Sequence, residues 1–171
     1  MRLLISHDKI VEMCKTIGKN ITIDYQGKSP LVVCVLKGAC PFHSELIKHI
    51  DLPIDLDYIQ ASSYSGTSST GVVKLKKDLD ADIKGRDVIL VEDIVDSGLT
   101  LSKLVEYLSQ RQPNSIKVAS LLDKPSGRKV QFKADYVGQE IEDLFVIGFG
   151  LDLDEKYRNL DSIYIYNQNY L

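Results

Sequence analysis

Residues 31–36 read LVVCVL, six apolar side chains in succession with no polar position among them. A strand with one face in water alternates apolar and polar residues, whereas an unbroken run rich in β-branched side chains is the pattern of a strand covered on both faces. Pro30 precedes the run and Lys37-Gly38 closes it, which gives it the length of a strand rather than a helix. Layers are therefore needed on both sides of a sheet.

The neighbouring segments supply them. Ile10, Cys14, Ile17 and Ile21 recur at helical intervals behind a Ser6 cap, which predicts an amphipathic helix over 6–21. PFHSELIKHI places Pro41 in a tolerated first-turn position and Phe42, Leu46 and Ile50 on one face. IDLDYIQ and VVKLKK read as strands on either side of a polar SSYSGTSSTG segment at 62–71, and DVILVED reads as a second buried strand. TLSKLVEYLSQ carries Leu101, Leu104, Val105 and Leu108 as one stripe, and SIKVASLLDK follows as a strand. DYVGQEI and FVIGFG read as short strands with Gly138 and Gly148 as bends. Strands alternating with helices predict an α/β fold, a mainly parallel twisted sheet flanked by helices on both faces. In such sheets ligands bind at the carboxyl ends of strands.

A chain of 171 residues buries one sizeable core and is short for two, so 1–171 is read as a single domain. Lys and Arg total 21 against 24 Asp and Glu, a net charge of −3 and the wrong sign for a non-specific grip on nucleic acid. No apolar run approaches a membrane span, and MRLLISHDKI lacks the apolar core of a signal peptide. The expected location is the cytosol, with neither membrane nor nucleic acid as a partner. Cys14, Cys34 and Cys40 are odd in number and lack CxxC spacing, which reads as three small core residues.

The chemistry concentrates in VILVEDIVDSGLTLSKL, residues 88–104. Asp96-Ser97-Gly98-Leu99-Thr100 joins a buried strand to a helix, and a helix N-terminus offers unpaired N–H groups and a positive dipole end to an anion. Gly98 lets the backbone curl, and Ser97 and Thr100 add hydroxyls. Taken alone, DSG is an ordinary helix cap with acids complementing the dipole. Glu92, Asp93 and Asp96 beside one anion site, however, repel each other and the anion unless a cation and a hydroxyl-rich ligand sit among them. A phosphorylated sugar with Mg²⁺ supplies both.

VILVEDIVDSGLT resembles the signature of the type I phosphoribosyltransferases. LKG at 36–38, SSYSGTSSTGVVKLKKDLD at 62–80, LLDKP at 121–125 and FVIGFGLDLDEKYRNL at 145–160 extend the resemblance to the bacterial hypoxanthine (hypoxanthine-guanine) branch of that family over nearly the whole chain. It implies the type I phosphoribosyltransferase fold, with a small hood formed by the terminal segments and a mobile active-site loop at about 62–74. It implies transfer of the 5-phosphoribosyl group of phosphoribosyl pyrophosphate to N9 of hypoxanthine, with guanine as the expected second base, and Mg²⁺ as cofactor.

The same resemblance distributes roles. Glu92 and Asp93 face the ribose hydroxyls and the metal; Ser97, Gly98, Leu99 and Thr100 hold the 5′-phosphate; Asp96 acts as the general base. Lys37 and Gly38 form the pyrophosphate loop, often with a cis non-proline peptide in the family. Ser63 and Tyr64 reach the pyrophosphate side from the lid, and Arg158 binds pyrophosphate. Lys124 donates to the purine 6-oxo group, Phe145 stacks on the ring, the Val146 backbone meets the base edge, and Asp152 serves a magnesium ion and that edge. Asp154 and Glu155 are read as solvated. The tail alternates Ile163 and Ile165 with Tyr164 and Tyr166 as an edge strand would, and the resemblance implies a homo-oligomer, dimer or tetramer. LLDKP and FVIGFGLD speak against an adenine or pyrimidine acceptor. The absence of a basic stripe speaks against a nucleic-acid-binding regulator on the same fold.

Overall fold

The unbroken apolar run becomes the middle of a sheet: Leu31–Val35 is buried at every position and pairs in parallel on both edges. The computed structural model describes residues 1–62 and 73–167. In chain order the elements are β1 (Arg2–Ile5), α1 (His7–Asp24), β2 (Leu31–Val35), α2 (Cys40–Ile47), β3 (Asp55–Ala61), β4 (Leu75–Lys77), β5 (Asp87–Val95), α3 (Leu99–Ser109), β6 (Ser115–Asp123), β7 (Tyr136–Glu140), β8 (Val146–Ile147) and β9 (Ile163–Ile165). A single 3-10 turn, Pro125–Gly127, follows β6.

The main sheet has the order β4-β3-β2-β5-β6-β7. β3, β2, β5, β6 and β7 pair in parallel, and only β4 runs antiparallel, against β3. Alternate residues of the central strands feed two cores. Val32, Ile89, Val91, Ala119 and Leu121 pack with Ile10, Cys14, Ile17, Phe42 and Leu46 of α1 and α2. Val33, Val35, Val88, Leu90 and Val118 pack with Leu101, Leu104 and Leu108 of α3 on the other side. This is the two-face covering that an unalternating strand requires. A second sheet, β1-β9-β8, joins the two ends of the chain in the hood that the resemblance implied.

Several sequence expectations are corrected. The tail strand β9 is the middle of its sheet rather than an edge, with β1 and β8 paired to either side. FVIGFG yields only Val146–Ile147, because Gly148, Phe149 and Gly150 take φ of +96°, +48° and +97°, incompatible with a ladder. Among the described residues VVKLKK contributes only Leu75–Lys77. Gly138 does not bend its strand: it lies inside β7, where a Cβ would overlap the Leu121 carbonyl oxygen of β6. Cys14 and Cys34 are buried as expected, but Cys40 is exposed at the start of α2. The Ser6 cap is present, its hydroxyl accepting the Lys9 N–H at 3.3 Å.

Two close contacts set α1 and α2 on their face of the sheet. Gly18 of α1 lies where a Cβ would sit 2.5 Å from the His49 carbonyl oxygen just past α2. His43 of α2 is buried, and its Nε2 lies 3.2 Å from the Val32 carbonyl of β2. A carbonyl only accepts, so Nε2 carries the hydrogen. Burial holds the His43 pKa below its ordinary value, although the bond to Val32 opposes this.

Gly18→Ala should therefore cost about 1–3 kcal/mol by overpacking, read as a lower urea midpoint; an unchanged midpoint would show that the helices part freely. His43 gives a pH dependence. Its folded pKa lies below its unfolded one, so its contribution is present above the unfolded value of about 6.5 and is lost as pH falls through the folded pKa. Stability measured from pH 7 to 5 should fall more steeply for the wild type than for His43→Gln, which can donate to Val32 without titrating.

Candidate active site

β2 and β5 are adjacent and parallel, yet their connections leave in opposite directions, β2 through α2 to β3 and β5 through α3 to β6. The crevice opened at their carboxyl ends is the topological switch point of the sheet. Residues after β2, the end of β5, the start of α3, the end of β6 and the hood all converge there.

After β2 the Leu36-Lys37 peptide is cis, the form the resemblance implied for the pyrophosphate loop. Gly38 follows with its Cα against the Asp93 carboxylate, and a Cβ at Gly38 would overlap Asp93 Oδ2. The loop after β2 is thus packed directly onto the acid pair of β5. The Glu92 carboxylate accepts the Asp93 N–H at 2.9 Å, and Asp93 accepts the Ile94 N–H at 2.7 Å. Burial, then the neighbouring Asp93 charge, pushes the Glu92 pKa well up. Burial also raises Asp93, against the lowering pull of its hydrogen bonds and the Arg158 charge.

Among the described residues no cation touches this crowded pair of carboxylates, and their oxygen-only chemistry suits Mg²⁺ rather than a metal that favours nitrogen or sulfur ligands. Among the described residues no three His, Cys, Asp or Glu side chains gather as a metal cage. Asp152, the third expected ligand, is engaged elsewhere: Oδ1 lies 3.3 Å from Arg158 Nη1 and Oδ2 accepts the Glu155 N–H at 2.9 Å. Mg²⁺ commonly takes one or two carboxylates and completes its shell with water and substrate oxygens, which fits the pair Glu92 and Asp93.

β5 leads into α3 through a cavity of about 210 Å³ lined by Glu92, Asp96, Ser97, Gly98, Thr100 and Leu101 among others. Gly98 has φ +78° and stands as the N-cap of α3 with no side-chain capping bond. Ser97 Oγ accepts only the Leu99 N–H, at 3.2 Å, so the simple capping role weighed for Ser97 and Thr100 is largely unfilled. The first turn of α3 faces this hollow, and among the described residues the Thr100 and Leu101 N–H groups have no acceptor, the arrangement that suits an anion.

On the other side of Asp96 stands Lys124, directly after β6. Its Nζ lies 3.4 Å from Asp96 Oδ2 and 3.6 Å from Asp143 Oδ1, and its side chain is only 11% exposed. Phe145, which pattern alone would bury, is 52% exposed. Tyr166 supports it edge-on at 6.1 Å between ring centroids, leaving Phe145 surface open to a ligand. Val146 beside it is buried.

The hood closes the opposite end. Lys37 Nζ meets Glu155 Oε2 at 2.9 Å, and Arg158 Nη2 meets Glu155 Oε1 at 3.2 Å. These two cations, Lys37 first, hold the Glu155 carboxyl below the usual carboxylate range. Arg158 Nη1 also donates to the Gly150 carbonyl at 2.7 Å. Asp154 and Glu155 are both exposed as expected, and Glu155 in addition pairs with both Lys37 and Arg158. Ser63 and Tyr64, with residues 63–72 of the expected lid, lie outside the described residues. The base of that segment is closed, since the Ser62 N–H and hydroxyl both donate to the Lys74 carbonyl, at 2.8 and 2.9 Å.

Sequence reasoning missed Arg128. The 3-10 turn after Lys124 brings it back onto the strand ends, where Nη1 lies 3.1 Å from the Val95 carbonyl and 3.0 Å from that of Asp96. Its Nη2 meets Asp123 Oδ1 at 2.6 Å. The available signal was a basic residue four places after Lys124, with Gly127 between them. That glycine is needed, because a Cβ there would overlap Asp96 Oδ1.

The phosphoribosyl transferase domain family matches residues 4–155 of this chain. A hypoxanthine-guanine phosphoribosyltransferase of Streptococcus thermophilus is 52% identical over 163 residues, 95% of this chain and 91% of that one. One of Bacillus subtilis is also 52% identical, with the same coverage. Among solved structures, a hypoxanthine phosphoribosyltransferase of Staphylococcus aureus superposes with a TM-score of 0.94 at 44% identity, covering 99% of this chain and 92% of that one. With the domain match and half-identical relatives both spanning nearly its full length, and the switch-point crevice built as described, this chain belongs to the phosphoribosyltransferase family.

Proposed function

We propose that the protein works in purine salvage, transferring the 5-phosphoribosyl group of phosphoribosyl pyrophosphate to N9 of hypoxanthine, and of guanine, with release of pyrophosphate. One observation carries the choice of base: Lys124, nearly buried, lies 3.4 Å from Asp96, which lines the hollow before α3, and 3.6 Å from Asp143, two residues before the exposed Phe145. A lysine ammonium has three donors and no acceptor. It matches a 6-oxo group and is left facing donors by a 6-amino purine. The half-identical relatives, named for hypoxanthine and guanine, support the same reading.

The roles are those the family resemblance implies, and the placement of the residues supports them. The free N–H groups opening α3, with Ser97, Gly98, Leu99 and Thr100, take the 5′-phosphate. Glu92 and Asp93 hold the ribose hydroxyls and Mg²⁺, which, when bound, screens the pyrophosphate charge and eases its departure. Lys37, the Gly38 backbone and Arg158 receive the leaving group, with Ser63 and Tyr64 assigned to the same side from a lid at about 62–74. As the bond to pyrophosphate lengthens, positive charge grows on the sugar, so water must be kept out. Phe145 stacks on the purine, and the Val146 backbone and Asp152 meet its edge. Asp96 takes the N7 proton as N9 attacks, general base catalysis worth ~10²–10⁴-fold. We place the protein in the cytosol as a homo-oligomer, dimer or tetramer; no helix among the described residues is long and apolar enough to cross a membrane.

Two substitutions separate these roles. Asp96→Asn should lower kcat by roughly 10²–10⁴-fold while equilibrium binding of phosphoribosyl pyrophosphate persists; near-normal turnover would remove Asp96 from the base role. Lys124→Ala should reduce the ratio of kcat/KM for hypoxanthine over adenine, measured by competition. An unchanged ratio would move base selection elsewhere.

A further inference from the structure

Glu155 is placed as an occupant of the pyrophosphate end of the site. Its two carboxylate oxygens are divided between the two cations assigned to the leaving group, Oε2 on Lys37 at 2.9 Å and Oε1 on Arg158 at 3.2 Å. A bridging anion with one oxygen for each cation is how a phosphate would engage them. The backbone is shaped to deliver it. Asp154, Glu155 and Tyr157 all take positive φ, +51°, +68° and +74°, a region side-chain-bearing residues seldom enter. The Glu155 N–H is fixed on Asp152 Oδ2 at 2.9 Å, and Leu153 and Lys156 close the tight hairpin around it. Strained backbone gathered at a site is held there by its surroundings and points to a role.

The contact is also built to be broken. The Lys37 and Glu155 side chains are 57% and 63% exposed, and exposed ion pairs are weak and readily exchanged. Pyrophosphate carries several negative charges and more oxygens than a carboxylate, so it outcompetes Glu155 for the same cations.

We propose that Glu155 is an internal stand-in for pyrophosphate: it holds Lys37 and Arg158 together in the empty site and is displaced when the pyrophosphate end of a ligand enters. The cations are thereby kept preorganised, ligand binding is weakened, and pyrophosphate release is hastened by a carboxylate ready to return. The inference rests on the assignment of Lys37 and Arg158 to pyrophosphate in the proposed function.

The test has a sign that a purely structural residue would not give. Inorganic pyrophosphate with Mg²⁺ is titrated calorimetrically into the full-length wild type, Glu155→Gln and Glu155→Ala, with thermal midpoints confirming that each is folded. Both variants should bind pyrophosphate roughly three- to tenfold more tightly, the gain shrinking as salt is added. Stopped-flow dilution should show slower pyrophosphate release. Unchanged or weaker affinity in the variants overturns the stand-in role, weaker affinity being the mark of a residue that merely shapes the loop. A wild type that binds neither pyrophosphate nor phosphoribosyl pyrophosphate overturns the functional reading beneath it instead.

Discussion

The parallel pairing of β2 with β5 is the constraint on which the rest depends. Its register, Val33 opposite Leu90 and Cys34 opposite Val91, brings Lys37-Gly38 and the Glu92-Asp93 pair to the same end of the sheet. A slip of one residue would turn every side chain of β2 to the other face, moving Val32 and Val33 between the two cores. It would also withdraw Gly38 from the Asp93 carboxylate, against which its Cα is packed. Folding energy and site geometry are therefore specified by one ladder. The opposite departures of α2 and α3 leave the crevice uncovered, so the chain obtains a binding site without opening its core.

The charge arrangement in that crevice explains what it can accept. Among the described residues, Lys37 lies against Glu155, Lys124 lies between Asp96 and Asp143, and Arg158 meets both Asp152 and Glu155. Each cation already faces an anion. The pair Glu92 and Asp93, by contrast, has no cation in contact among the described residues; burial raises both pKa values, and the Asp93 charge raises that of Glu92 further. A bare phosphate ester would add negative charge to a site whose positive charges are taken. A ligand arriving with a divalent cation relieves the acid pair and brings anionic groups that can displace the internal carboxylates. Such a site gives up some of its own stability to remain open to one kind of ligand, the compromise common at functional sites.

Most of the architecture was legible because it follows from period alone. LVVCVL and DVILVED could only be doubly covered strands, and the stripes of α1 and α3 could only be amphipathic helices. The hollow before α3 was legible too, because a strand, a small-residue turn and a helix form a local unit. What depended on long-range contact was not. Phe145 sits in an apolar run and reads as core, yet it lies just before β8 and is exposed, with Tyr166 edge-on against its ring. Glu155 and Lys37 are 118 positions apart, and nothing in the spacing of DLDEKYR separates a site carboxylate from a solvated one. Cys40 shares its surroundings in sequence with Cys34 but falls on the outer side of α2, where a short apolar segment gives no face to read.

Arg128 shows how a residue outside the recognised motifs can govern those inside them. The carbonyl ends of parallel strands all point the same way, so at the carboxyl edge of a sheet acceptors crowd together without donors. Here the Lys124 N–H satisfies the Val95 carbonyl at 2.9 Å, and Arg128 supplies the rest. Its Nε, Nη1 and Nη2 reach the carbonyls of Phe132, Val95, Asp96 and Lys124 and the carboxylate of Asp123. These acceptors lie in several directions around one plane, which suits a rigid fork and defeats the single centre of a lysine ammonium. Because the backbone of Asp96 and that of Lys124 are bonded to the same guanidinium, one side chain helps to fix the spacing between the two residues proposed as general base and 6-oxo donor. In the proposed function the purine spans that spacing, which would make recognition of the base and activation of its proton two ends of a single structural measurement.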